Sequence, residues 1–145
     1  MGCASVNYLY KSSKTENLLL LLIEYGVKHL NEGLVLNAPD YWIDLEIYQS
    51  GTLSIRIALC NPEAVIAQFM NLLDYLFAEA GGKLFDLQSR KEYRDYLNEN
   101  DHTEIIDIYQ NKKQEVDKWF SGLTLPVSEP EFFRLWREKN NIQPQ

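Results

Sequence analysis

The chain has 145 residues, the usual size of one domain, and 14 Lys and Arg against 21 Asp and Glu give a formal net charge of −7. Apolar residues make up 46% and aromatic residues 12% of the sequence, which excludes a disordered chain and is enough for a hydrophobic core. The acidic balance also argues against a nucleic-acid binder, because negative charge repels the phosphate backbone.

The N-terminal part predicts a strand and then a leucine-rich helix. Ala4 to Tyr10 forms the short strand. Thr15 is the expected N-cap of a helix of about 15 residues that ends near Gly33. Its apolar run, Leu18 to Ile23, is too short to cross a bilayer, which requires about 20 residues, so we expect no membrane association.

The next segment, about residues 41–60, carries two alternating apolar runs and predicts a β-hairpin. Opposed residues in a hairpin must share a face, and only an odd loop length satisfies both runs. We therefore predict a three-residue loop, Gln49 to Gly51, with Gly51 in a left-handed conformation. This register places Asp44 opposite Arg56, on the face away from the core.

A second helix is predicted from Asn61 as N-cap to the Gly81–Gly82 pair, and a strand follows at Lys83 to Leu87. Beyond Ser89 the pattern indicates polar helices. These are a helix over Arg90 to Asn98, a longer one that Asp101 and Glu104 open as a capping box and that ends near Phe120, and a short one beginning at Ser128.

These elements predict a single α+β domain covering residues 1–145. We expect two layers, with a small antiparallel sheet built around the hairpin, helices packed against it and a helical C-terminal part.

No catalytic, cofactor or metal motif stands out. His29 and His102 are far apart and, like Cys3 and Cys60, lack metal-ligand spacing, so we predict neither a metal nor a cofactor. Cys60 is expected to be a buried thiol in a reducing, cytoplasmic setting, with a Cys3–Cys60 bridge as the alternative. A carboxylate site assembled only in the fold, from residues such as Asp40, Asp44 and Glu46, is the enzymatic alternative.

The distribution of acidic residues points instead to protein binding. Five acids and no Lys or Arg occur between Asp95 and Asp107, and three tyrosines, Tyr93, Tyr96 and Tyr109, lie beside them. Such a segment is either a solvated helical corner or a surface for a basic partner, with tyrosines as anchors. The predicted partner-binding residues are Tyr93, Asp95, Tyr96, Glu99, Asp101, Glu104 and Asp107.

A family resemblance agrees with the binding hypothesis. The small acidic chain, with its β-hairpin, amphipathic helix, Gly-Gly-Lys-Leu-Phe-Asp-Leu strand (81–87) and polar helical tail, resembles bacterial immunity proteins of polymorphic-toxin or contact-dependent-inhibition systems over roughly Tyr41 to Tyr96. The resemblance implies a non-catalytic cytoplasmic protein that binds and blocks one cognate toxin, often a nuclease with a basic site. It transfers no interface residues. A small enzyme and a structural subunit of a phage or secretion assembly are the alternatives.

Overall fold

The computed structural model describes residues 4–14, 17–30 and 33–119, with side chains up to residue 115. These ranges contain, in chain order, β1 (Ser5–Lys11), α1 (Leu18–Tyr25), β2 (Lys28–Leu30), β3 (Gly33–Ala38), β4 (Tyr41–Ile47), β5 (Thr52–Ala58), α2 (Ala64–Ala80), β6 (Lys83–Asp86), β7 (Lys91–Arg94) and α3 (Glu99–Trp119). The predicted roles of Cys3 and Thr15 and the predicted helix at Ser128 lie outside the described residues.

The strands form one antiparallel sheet in the order β2-β3-β4-β5-β1-β6-β7. β1, which the sequence marks only weakly, is an interior strand between β5 and β6. Together with the helices this is the predicted α+β class, although the sheet is larger than expected because β2, β3 and β7 were not foreseen.

The hairpin of β4 and β5 has the predicted register. Asp44 is the cross-strand partner of Arg56, and Leu45 is the partner of Ile55. The Tyr48 amide donates to the Thr52 carbonyl at 2.9 Å, which closes a three-residue loop. Gly51 in that loop has a φ of 85°, the left-handed conformation that the loop requires.

The helices bury their apolar sides against one face of the sheet. The Tyr8 ring of β1 lies 4.5 Å from the Phe69 ring of α2, and the Tyr10 ring meets Phe77 edge-on at 5.7 Å. Leu22 of α1 and Ile105 of α3 belong to the same buried cluster. α2 contacts both α1 and α3, so it is the middle helix of the layer.

Helix α1 is shorter than predicted, because Gly26 and not Gly33 ends it. Gly26 has a φ of 120°, and its amide donates to the carbonyls of Leu22 and Ile23. The Val27 amide donates to the Leu22 carbonyl at 2.9 Å, which completes a Schellman-type C-cap. The chain then forms β2, and Gly33 begins β3.

Helix α2 begins without the predicted Asn61 cap. Asn61 is fully buried and faces the sheet, where its Oδ1 accepts from the Trp42 amide at 2.8 Å. Its Nδ2 donates to the carbonyls of Ala58 at 2.8 Å and Trp42 at 3.1 Å. Asn61 therefore fastens the end of β5 to the start of β4.

The predicted helix over Arg90 to Asn98 is wrong, because Lys91–Arg94 forms the edge strand β7. The cause is the turn before it, in which the Asp86 carboxylate accepts from the amides of Gln88 at 2.8 Å and Ser89 at 3.2 Å. Arg90 closes the turn with a φ of 62°. An aspartate that binds the amides after it favours a turn over a helix.

A reciprocal cap opens α3 three residues before the predicted one. Asn98 Oδ1 accepts from the Asp101 amide at 2.8 Å, and Asp101 Oδ2 accepts from the Asn98 amide at 3.0 Å. Asn98 is thus the N-cap residue, and Asp101 occupies the N3 position of the capping box and not the N-cap position. The helix continues to Trp119, close to the predicted end.

Candidate functional site

Three of the five predicted acids are exposed, one just before α3 and two in its first half. Asp95 lies in the loop that follows β7, whereas Glu99 and Asp107 lie eight residues apart on the solvent side of the helix. Thr103 between them is also exposed, so the stripe recurs every fourth residue. Among the described residues, no hydrogen bond or ion pair to these three carboxylates is present.

The other two acids have structural roles. Asp101 belongs to the cap of α3. One Glu104 carboxylate oxygen accepts from the Lys91 ammonium at 2.8 Å and from the Tyr93 hydroxyl at 2.5 Å. These two hydrogen bonds, from Lys91 first and Tyr93 second, lower the pKa of Glu104. Both carboxylates therefore stabilise the fold beneath this surface, and both are already hydrogen-bonded within the protein.

Of the three predicted tyrosine anchors, one is exposed and two are buried. Tyr96 is 67% exposed beside Asp95 and can contact a partner. Tyr93 and Tyr109 are buried in the core, so the expectation that they act as surface anchors is wrong. Their side chains lie on the inner faces of β7 and α3, a placement that the predicted helix over Arg90 to Asn98 concealed.

The exposed acids continue onto α2 and α1, beyond the segment that the sequence suggested. Asp74 of α2 lies 2.9 Å from the His102 ring of α3. The Tyr75 pKa is raised by burial and then by the nearby charges of Glu24 and Glu79. We call this surface the acidic helical face and define it by six exposed acids: Glu24, Asp74, Glu79, Asp95, Glu99 and Asp107.

The helical pattern of α2 in the sequence predicts part of this larger acidic surface. Asp74 and Glu79 interrupt the apolar positions of α2 on its solvent side. What the sequence does not contain is the packing order of the helices, which brings these acids next to those of α3.

The outer face of the sheet carries a row of three basic residues at one edge. Lys11, Lys83 and Arg94 are direct cross-strand partners on β1, β6 and β7, and all three are exposed. Like charges placed directly opposite each other destabilise a sheet. Glu92 offsets this by pairing with Lys83 at 3.7 Å and with Arg94, and its pKa is lowered by the Arg94 hydrogen bond first. The outer face therefore carries this row of bases together with the acids Glu92, Asp44 and Glu46.

The enzymatic alternative has a physical location on the same outer face. Asp44 and Glu46 line an open groove of about 290 Å³ together with Ser54 and Arg56. The Trp42 indole nitrogen donates to Asp44 at 2.9 Å, and Arg56 donates to Asn7 at 3.2 Å. The third candidate, Asp40, lies in the turn before β4, so it is not part of this groove.

Asp86, the last residue of β6, is a fully buried carboxylate. Its Oδ1 accepts three hydrogen bonds from the following turn, two of them from Gln88 at 2.7 and 2.8 Å. Its Oδ2 and the Tyr8 hydroxyl are buried without hydrogen-bond partners among the described residues. Burial, followed by the charge of Asp86, raises the pKa of Tyr8 well above its ordinary value.

Cys60 is buried at the end of β5, and burial raises the pKa of its thiol to about 12. The thiol is therefore a poor nucleophile, because the reactive form is the thiolate. Across the described part of the chain, no three or more His, Cys, Asp or Glu side chains are grouped to hold a metal ion. The described helices include none with the length and apolar character to span a membrane.

Comparison of the chain with protein-family models, with curated proteins and with solved structures gave no significant match.

Proposed function

We propose that this protein binds a basic protein partner through the acidic helical face, as an immunity-type inhibitor that occludes the partner without chemistry of its own. The observation that carries the proposal is the set of six exposed carboxylates, five on the three adjacent helices and Asp95 in the loop before α3. Exposed acids on adjacent helices repel one another, so their clustering is better explained by a partner than by stability.

Charge complementarity of this kind accelerates encounter and disfavours wrong partners more than it adds affinity. The acids of this face lie at the outer surface of the helix layer, whereas the row Lys11, Lys83 and Arg94 lies on the outer surface of the sheet. A basic partner is therefore attracted to one side of the molecule. Occlusion of a cationic active site would follow from this orientation.

The immunity hypothesis predicts that a toxin domain is encoded beside this protein in its genome. That domain is the partner used in the test. Association and dissociation rates are measured by biolayer interferometry between 50 and 500 mM salt. We expect the association rate to fall as salt rises, since exposed charges are screened over about 10 Å at 0.1 M ionic strength. Neutralising Glu99 and Asp107 together, with Glu99→Gln and Asp107→Asn, should slow association.

The matched control removes the same two charges elsewhere, with Asp40→Asn and Glu46→Gln, and should leave the association rate close to that of the wild type. Equal effects of the two double variants would show that only net charge matters and would overturn the acidic helical face as the interface. Absence of binding and of protection against the neighbouring toxin would overturn the immunity-type function.

A further inference from the structure

Helix α1 is apolar except in its last turn, which holds Glu24, yet its outer side is exposed. Its first six residues, Leu18 to Ile23, are all Leu or Ile. Leu18 and Leu22 are buried, whereas Leu20 is 55% and Ile23 is 41% exposed. Helices of globular proteins normally place polar residues on the solvent side, and an all-apolar helix is normally buried. The exposed side of α1 is therefore an unusual surface for an acidic protein.

Local contacts fix which side of α1 faces outward. The Asn17 side chain caps the first turn by accepting from the Leu20 amide at 3.3 Å, and Gly26 ends the helix. The Tyr75 hydroxyl of α2 donates to the Leu21 carbonyl at 2.9 Å, and the Tyr25 and Tyr75 rings lie 4.7 Å apart. A rotation that buried Leu20 would break these contacts, so the exposed pair is held in place.

A cavity of about 540 Å³ opens at the N-terminal end of the same helix. Leu18, Leu19 and Ile47 supply its apolar walls, and Lys11 and Lys14 are among its polar lining. The Ser13 hydroxyl and the Lys14 ammonium are bonded to carbonyls at the end of α2, at 2.9 and 3.0 Å. With Leu18, Leu19 and Ile47 on its walls and Lys11 and Lys14 in its lining, the cavity suits an apolar side chain and repels a cation.

The charges around the C-terminal end of α1 identify the chemistry of the occupant. Glu24 follows Ile23 directly, and Asp74 of the neighbouring helix α2 lies close to Tyr25, whereas Glu79 lies toward the N-terminal end of α1, where its carbonyl accepts from Lys14. A second copy of this chain packed on α1 would bring these acids together, which like-charge repulsion opposes. A cationic segment would instead be attracted.

We propose that α1 is the apolar anchor of the interface and that it docks a segment of the partner with apolar side chains flanked by Arg or Lys. The apolar side chains cover Leu20 and Ile23 and enter the cavity beside Leu19, and the cations lie against Glu24 and Asp74, at the end of α1 away from Lys11 and Lys14. This inference rests on the proposed function, since it assigns the anchor within the acidic helical face. Such a layout, with an apolar centre and a charged rim, is the usual anatomy of a protein interface.

The experiment uses two synthetic peptides of equal length and charge, one alternating Arg with Leu and the other alternating Arg with Ser. Each is titrated into the whole protein by isothermal calorimetry and by amide chemical-shift mapping. We expect the Arg-Leu peptide to bind at least about tenfold more tightly, a ratio equivalent to about 1.4 kcal/mol. Its largest shifts should fall on the amides of α1.

Variants separate this inference from the proposed function. Leu20→Ser with Ile23→Ser should abolish the preference for the Arg-Leu peptide while leaving Arg-Ser binding unchanged. Leu87→Ser, at an exposed leucine in the turn after β6, is the control and should change neither affinity. Glu24→Gln, Asp74→Asn and Glu79→Gln together should weaken both peptides.

If the acid variants weaken both peptides but the α1 variant leaves the preference intact, the anchor is wrong and the acidic face stands. If the acid variants change neither affinity, the proposed electrostatic interface itself is wrong. The amide spectrum of each variant confirms that the fold is retained, so a loss of binding is not confused with unfolding.

Discussion

The Tyr93 hydroxyl and the Glu104 carboxylate are joined by a hydrogen bond of 2.5 Å that ties the edge strand β7 to helix α3. Lys91, two residues before Tyr93, donates to the same oxygen at 2.8 Å. Because Tyr93 is buried and Glu104 is half-buried, this contact lies at the boundary between core and solvent. It holds in place the segment that carries Asp95, Tyr96 and Glu99.

We expect Tyr93→Phe to lower the free energy of unfolding at pH 7 by about 1–2 kcal/mol, because a hydrogen bond to a charged group contributes about 1.5–3 kcal/mol and the partial exposure of Glu104 reduces that value. The folded pKa of Glu104 is lowered, so its contribution is present above the unfolded pKa and is lost as the pH falls through the folded value. The difference from the wild type should therefore shrink below about pH 4.

Urea denaturation at pH 7 and pH 3 measures this difference, with Tyr96→Phe, at an exposed tyrosine, as the control. A loss of equal size at both pH values would assign the effect to packing of the ring and contradict the role of the hydrogen bond.

Asn61 provides a second test, in which one side chain joins two strand ends. Asn61→Ala removes three hydrogen bonds and leaves the Trp42 amide and the Ala58 carbonyl without this partner. We expect a loss of about 2–3 kcal/mol, because unsatisfied buried groups retain their desolvation penalty. Thermal and urea denaturation measure it.

Asn61→Asp gives the matched comparison, since it keeps the acceptor for Trp42 and replaces the donor with a buried carboxylate facing two carbonyls. Burial raises the folded pKa of such a group more than the nearby Lys113 ammonium lowers it, so this variant should gain stability relative to the wild type as the pH falls from the raised folded pKa toward the unfolded value of about 4. A pH-independent difference would show that the side chain does not occupy the described position.

The sequence predicts correctly those parts of the fold that depend on local alternation and local caps. Asp44 opposite Arg56 follows from the parity of two strands joined by a short loop, and the Gly81–Gly82 end of α2 follows from helical spacing. The errors arise where a local signal has two solutions. Asn61 can cap a helix or bind a strand, and here its side chain bonds both the amide and the carbonyl of Trp42.

The candidate site was predictable to the same degree. Asp95, Glu99 and Asp107 lie close together in the sequence, so their common surface could be inferred before the fold was known. Asp74 reaches this surface only through the packing of α2 against α3, next to His102. The burial of Tyr93 depends on its pairing with Leu84 across β6 and β7, a contact that no local sequence pattern predicts.

Gly82 tests a backbone requirement at the start of β6. Its φ is +88°, and a Cβ added there would overlap the Lys11 carbonyl and lie 2.9 Å from Ser12 Cα. Gly51 has a similar φ of +85° with open space around it. Gly51→Ala should therefore cost only the conformational strain, about 1–2 kcal/mol.

Gly82→Ala adds the steric conflict with the adjacent strand, and we expect a loss of at least about 3 kcal/mol or no folded protein at all. Paired urea denaturation curves compare the two variants. Equal losses would show that the close approach of β1 to Gly82 is absent in solution.

The buried tyrosines predict a loss of stability in alkali. Burial raises the pKa of Tyr10 to about 12 and that of Tyr8 well above its ordinary value. A raised folded pKa gives full stability below the unfolded value near 10, and this stability is lost as the pH rises toward the folded value. Each tyrosine that ionises only on unfolding then removes up to about 1.4 kcal/mol per pH unit.

Tyr8→Phe separates this effect from hydrogen bonding. The Tyr8 hydroxyl has no hydrogen-bond partner among the described residues, so at pH 7 the variant should be about as stable as the wild type. Between pH 10 and 12 its stability should fall less steeply, by the contribution of one tyrosine.

Tyr10→Phe is the comparison, because that hydroxyl lies 3.1 Å from the Leu76 carbonyl and 2.6 Å from the Gly81 carbonyl. It should lose about 1 kcal/mol already at pH 7 and show the same shallower alkaline slope. Urea denaturation at pH 7, 10 and 11.5 measures both variants, together with the ultraviolet absorbance of tyrosinate in the folded state. A wild-type alkaline slope in Tyr8→Phe would mean that this hydroxyl reaches solvent and ionises without unfolding.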